Sequence, residues 1–169
     1  MMGFKKTSDT IAISFGVSET APNTFAEEEI ALQLDVLNNE IFVVVACDLD
    51  LTEPDAIAAT NTISKGSVSA TTSPRVLSLN DTNCIATAKE SIRASGFVDG
   101  GVGFSRAANQ AYTGDVDYIF LIATNNFFVQ VQGDNNGTEK TCTGRIWGYR
   151  ARADASTYAA LVQSEVLSS

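Results

Sequence analysis

Asp117–Gly133 reads DYIFLIATNNFFVQVQG and holds three of the chain's nine phenylalanines. The fold reading turns on this stretch. Successive side chains of a strand point to opposite faces. In 116–123, Val116, Tyr118, Phe120 and Ile122 share one face, while Ile119, Leu121 and Ala123 share the other. A strand apolar on both faces belongs in the middle of a structure, buried on both sides or packed against a neighbouring subunit. The next run alternates: Phe127, Val129 and Val131 oppose Phe128, Gln130 and Gln132. Gln130 and Gln132 then mark a face that meets water or a wet subunit contact. Thr124-Asn125-Asn126 reads as a tight hairpin turn, because Asn tolerates left-handed backbone. A second turn, Gly133–Gly137, leads into the alternating run Lys140–Arg152. Residues 116–152 therefore predict a three-strand meander.

Upstream, Thr10–Val17 alternates as a first strand, and Pro22 marks the loop that follows. Phe25–Leu37 sets Ile30, Leu32, Leu34 and Val36 against Glu29, Ala31, Gln33 and Asp35, a half-buried strand. With the turn at Asn38-Asn39 and the strand Glu40–Leu51, it predicts a second hairpin over Ile30–Leu51. Ile57–Thr72, rich in Ser, Thr and Ala, predicts a weak edge strand or a long loop. Pro74–Leu79 predicts a short strand, and β-branched residues favour a strand over Asn83–Arg93. Gly96–Gly103 reads as loop, and Ser105–Gly114 as a polar loop or short helix. Asp154 or Ser156 can cap a helix whose stripe is Tyr158, Leu161, Val162 and Val166.

The pattern is all-β: an antiparallel β-sandwich of about eight strands with a short C-terminal helix. A jelly roll fits it. The immunoglobulin pattern of Cys, Trp, Cys does not, because the single Trp147 follows all three cysteines. A chain of 169 residues suits one domain. The expected division is an arm over 1–9, a sandwich over 10–152 and a helical tail over 153–169.

Composition narrows the function. The chain has no histidine. That removes Ser-His-Asp and Cys-His catalysis, histidine-ligated zinc and the usual proton shuttle near neutral pH. Net charge is −9, with 4 basic and 12 acidic residues in 1–85 against 7 and 8 in 86–169. A net acidic chain does not attract phosphate backbones over its whole surface. Lys140, Arg145, Arg150 and Arg152 form the one basic concentration, read as solvated strand ends and salt bridges. No run reaches the ~18–20 apolar residues of a membrane helix. MMGFKKTSDT carries no apolar core after its lysines, so no secretory signal is expected.

The best ligand-like cluster is Asp48, Asp50, Glu53 and Asp55, oxygen donors of the kind calcium prefers, without EF-hand spacing. Asp115 with Asp117, and Glu27 with Glu29, have the i, i+2 geometry of paired carboxylates but read as wet strand faces. Gly100-Gly101-Val102-Gly103 fits neither a dinucleotide fingerprint nor a P-loop. Trp147, Tyr149 and Tyr112 could stack on sugars, though core or interface packing suits Trp147 and Tyr149 better. Cys47, Cys84 and Cys142 lack metal-ligand spacing; Cys47 and Cys142 read as buried small hydrophobes. Asn80-Asp81-Thr82 and Asn136-Gly137-Thr138 match the glycosylation pattern, and Asn136-Gly137 reads as a turn.

Strand rhythm over 10–152, the paired runs Ile30–Leu51 and Tyr118–Val131, and the ending GRIWGYRARAD before a helix resemble the single jelly-roll capsid proteins of small icosahedral viruses. Capsid proteins of prokaryotic viruses with upright single jelly rolls are the nearest in kind. The resemblance implies a self-assembling, non-enzymatic shell protein of the virion. Its partners would be its own copies, neighbouring capsid subunits and other virion proteins. Lys5 and Lys6 are all that stands for a basic arm, so direct contact with nucleic acid is not expected. The alternatives are a lectin-like or fibre-head binding module that takes glycan or calcium, and a filament subunit.

Overall fold

The computed structural model of the protein describes residues 3–94, 104–108 and 117–168, and for 104–108 and 166–168 the backbone alone. The run 96–103, Tyr112, Asp115, Val116 and the side chain of Val166 lie outside this description. The strands are β1 (Phe4–Lys6), β2 (Ile11–Ser18), β3 (Ala26–Ala31), β4 (Glu40–Leu51), β5 (Thr62–Ser69), β6 (Cys84–Arg93), β7 (Phe104–Ala108), β8 (Phe120–Ile122), β9 (Asn126–Asp134) and β10 (Thr141–Ala153). Helix α1 spans Ala155–Ser168, and Val36–Asn38 form a 3₁₀ turn.

They make two five-stranded antiparallel sheets. In sheet I, β1 and β2 lie end to end along β10, followed by β4 and β8. In sheet II the order is β3-β9-β5-β6-β7. Setting aside β1 and β7, the first of the remaining strands pairs with the last (β2 with β10), the second with the seventh (β3 with β9), the third with the sixth (β4 with β8), and the fourth with the fifth (β5 with β6). That is a long hairpin rolled over two sheets, the jelly-roll arrangement.

The three-strand meander is not formed. β8 belongs to sheet I, β9 to sheet II and β10 to sheet I. Thr124-Asn125-Asn126 is a crossover between sheets, and Asn125 O accepts the N–H of Leu32 from another connection. The Ile30–Leu51 hairpin fails likewise, since β3 lies in sheet II and β4 in sheet I. Alternation tells which side chains share a face; it does not tell which strand receives the hydrogen bonds. The short strand expected at Pro74–Leu79 is loop. The Ser-rich segment at 57–72 instead yields β5, paired on both edges in the middle of sheet II. The arm expected over 1–9 contains β1, which is paired to β10. Within 105–114, the described part is strand.

The inner faces close on Phe15, Val17, Phe42, Val44, Leu49, Val68, Phe127, Val129, Val131 and Ile146. Phe15 and Phe127 meet edge to face at 5.5 Å across the two sheets. Each such buried side chain contributes about 1.5–3 kcal/mol of transfer free energy. The sheets come closest at Gly66, where a Cβ would stand 2.6 Å from Cys142 Sγ and 2.9 Å from Leu51 Cδ2.

On β4, Trp147 pairs with Ala46 and Gly148 with Val44, so Val45 is an extra, bulged residue. The bulge resets parity. Phe42 and Val44 point into the core before it, and Cys47, Leu49 and Leu51 after it. Asp48 and Asp50 are thereby turned outward and are exposed.

The outer face of sheet I carries a second apolar cluster: Ile41, Val43, Ala123, Ala151 and Ala153, packed by Tyr158, Leu161 and Val162 of α1. This accounts for strands that are apolar on both faces. The second face is covered by the chain's own helix, and Tyr158, Leu161 and Val162 of the α1 stripe are occupied there. Asp154 caps α1, its Oδ1 accepting from Thr157 N at 2.7 Å and Ser156 Oγ at 3.0 Å. Those bonds hold its carboxyl below the usual range.

Candidate functional site: a loop lock and an open sheet face

The β2–β3, β4–β5 and β9–β10 connections gather at one end of the sandwich and are bolted together by side chains. Asn136 is the hub. Its N–H donates to Asn23 Oδ1, its Oδ1 accepts from Asp55 N, and its Nδ2 donates to Ile63 O. That amide is consumed structurally. Asn80, in the other glycosylation-like triplet, is exposed. Glu19 is buried and accepts from the N–H groups of Gly133 and Lys140.

Lys140 is only 1% exposed, and its ammonium donates to Asp55 Oδ1 at 2.8 Å, Glu53 O at 2.9 Å and Thr138 Oγ1 at 3.1 Å. Asp55 Oδ2 also accepts from the N–H groups of Gly137 and Thr138. The Lys140 ammonium, then Thr138, lower the Asp55 carboxyl to about 2. A buried cation must be paired and hydrogen-bonded, and all three ammonium protons have acceptors here.

The four carboxylates read as oxygen ligands therefore separate. Asp55 is committed to Lys140, and Asp48 and Asp50 stand exposed on the outer face of β4. Glu53 is exposed beyond the strand end. Burial, then the charges of Glu53 and Asp50, raises Glu90 on β6. Among the described residues no three carboxylates or thiols are placed to hold one metal ion. Glu27 and Glu29 are also engaged: Glu27 accepts from Thr72, Ser73 and Gln130, and Glu29 from Asn126.

The basic concentration on the last strand dissolves into internal contacts. Lys140 is the buried ion just described. Arg150 donates to Leu32 O, Gln33 O and Glu40 Oε1, and Arg152 to Asn38. Arg145 donates its Nε to Ser14 Oγ and is otherwise exposed.

Gln130 does not meet water. It is 0% exposed, accepts from Ser67 Oγ, and donates to Ser69 Oγ and Glu27 Oε2. The 70–83 loop folds over it, with Leu77 N donating to Ser67 Oγ. The three thiols are free. Burial first, then neighbouring charge, pushes Cys47 and Cys142 up to about 12 and Cys84 to about 11.

Sequence reading missed the lock and the Gln130 network, whose partners lie far apart along the chain: Lys140 and Asp55 are 85 residues apart. One signal was available. A lysine directly before an alternating strand and an aspartate after a proline both flank strand ends that a jelly roll brings together.

Tyr149 is half-buried under the Lys6 ammonium, 4.7 Å from its ring centroid. Trp147 is half-buried on the outer face of sheet I, in neither apolar cluster. Helix α1 packs on the half of that face around Ile41 and Val43; among the described residues the half around Trp147 belongs to neither apolar cluster and carries exposed Arg145, Asp48 and Asp50.

No protein-family model matches the sequence, and no curated protein does. Solved structures similar to the chain include VP1 of Trichodysplasia spinulosa-associated polyomavirus, at 6% identity and TM-score 0.38, covering 87% of this chain and 98% of that one. A protein of desmodium yellow mottle tymovirus is similar at 13% identity and TM-score 0.27, covering 86% and 87%. One of turnip yellow mosaic virus is similar at 12% identity and TM-score 0.26, covering 88% and 95%. The fold assignment rests on this chain's own strand pairing.

Proposed function

We propose that the protein is a self-assembling structural subunit, a major capsid protein that builds an icosahedral shell. The observation that carries this reading is the strand order, a complete jelly roll in which Arg150 and Arg152 of β10 are engaged by partners within the chain. A fold alone hosts many functions, so the reading is tied to assembly as its observable. It assigns the chain no reaction, no cofactor and no direct contact with nucleic acid. Its partners are its own copies, and its location is the virion. Sedimentation velocity over a hundredfold concentration range tests it. Discrete oligomers or shells should grow with concentration; a monomer at every concentration overturns the reading.

A further inference from the structure

We infer that the half of the outer face of sheet I beyond α1 is a self-complementary interface with a second copy of this chain, centred on Trp147; this rests on the assembly reading above. Parity on β10 turns Thr143, Arg145 and Trp147 outward. In the register, Trp147 stands between Ala12 of β2 and Ala46 of β4. The largest side chain on the face is thus bracketed in register by two alanines and is half-buried.

One step along the same face, Arg145 stands between Ser14 and Asp48. Arg145 uses only its Nε, on Ser14 Oγ at 3.2 Å. Among the described residues nothing pairs with its two terminal nitrogens or with the carboxylates of Asp48 and Asp50. One patch therefore offers a free guanidinium fork, free carboxylates and an aromatic ring.

A two-fold axis brings a patch against itself, so residue i meets j and j meets i. Across such an axis each Arg145 faces the other copy's acidic strand, with the tryptophans near the centre. Trp and Arg are the residues that concentrate binding energy in interface centres. A cleft borders the face at Gly16, Ser18, Thr141 and Thr143, but Arg145 and Trp147 do not line it. Small ligands favour concave sites. Helix α1 limits the contact to this half of the sheet.

The test uses the full chain in light scattering coupled to size-exclusion chromatography, with circular dichroism to check folding. Trp147→Ala, Arg145→Ala and Arg145→Glu should each weaken association at least about tenfold. Combining Arg145→Asp with Asp48→Arg should restore most of it. If wild type associates and the single variants associate equally well, this interface is wrong while assembly stands. Failure of the exchanged pair to restore association also overturns it. A wild type that stays monomeric overturns both this inference and the assembly reading.

Discussion

Asp55→Ala should destabilise the protein more than Lys140→Met, although the two residues are partners. Lys140 is 1% exposed and Asp55 28% by side chain. Removing the aspartate strands an ammonium in the interior with only Glu53 O and Thr138 Oγ1. Breaking a buried pair in this way costs about 3–5 kcal/mol. Because Asp55 is partly solvated and its field partly screened, the lower end applies, about 3 kcal/mol. At about 2–4 °C per kcal/mol for a chain of this size, Tm should fall by roughly 6–12 °C. Lys140→Met removes the charge along with its desolvation penalty and leaves Asp55 with water and the Gly137 and Thr138 donors, for about 1 kcal/mol.

The double variant should therefore be more stable than Asp55→Ala alone, by about 1–2 kcal/mol. Chemical denaturation of the four proteins measures the cycle. Acid adds a second readout. Because the Asp55 pKa is lowered to about 2, its contribution is in place above about pH 4 and lost as the pH falls toward 2. The Asp55→Ala protein should lack that part of the acid dependence. A cost under about 1 kcal/mol for Asp55→Ala, or a double variant no more stable than that single, refutes the reasoning.

Glu165 of α1 is 4% exposed, accepts from Ala123 N, and burial raises its carboxyl. Its other oxygen has no partner among the described residues. A raised folded pKa stabilises in acid and loses that contribution as pH rises through it. Protection factors of α1 amides, corrected for the intrinsic pH dependence of exchange, should rise as the pH is lowered, and Glu165→Gln should flatten the response. Gly66→Ala forces a Cβ onto Cys142 and Leu51 and should cost about 1–3 kcal/mol in urea denaturation. Gln130→Ala leaves Ser67 Oγ and the Glu27 carboxylate short of a partner under the 70–83 loop, and should cost about 2–3 kcal/mol. With thiol values of about 11 to 12, no cysteine should react quickly with a disulfide reagent at about pH 8 until the protein unfolds.

Strand existence was legible where apolar and polar residues alternate, as in Ile11–Val17, Glu40–Leu51 and Phe127–Val131. Strand partners were not, because a jelly roll pairs distant segments, and a short turn such as Thr124-Asn126 serves a crossover as well as a hairpin. β5 was read as edge or loop because its outward Ser67 and Ser69 look solvent-facing; they are covered by the chain's own 70–83 loop. Gln130 was misread for the same reason. The carboxylates of 48–55 looked like one cluster in sequence, but the Val45 bulge and the Lys140 ammonium send them to different places. The two apolar faces of 118–123 were read as those of a central strand, but among the described residues β8 is a three-residue edge strand of sheet I, with Tyr118 exposed, Ile119, Phe120 and Leu121 half-buried and only Ile122 and Ala123 buried; α1 packs on the cluster that holds Leu121 and Ala123.

The most direct test of the central claim is negative-stain electron microscopy of the purified full chain after concentration. Closed, uniform particles, or rings of a fixed subunit number, are the predicted result. A field with only single 17.9 kDa molecules, matched by a monomeric mass in light scattering, contradicts it.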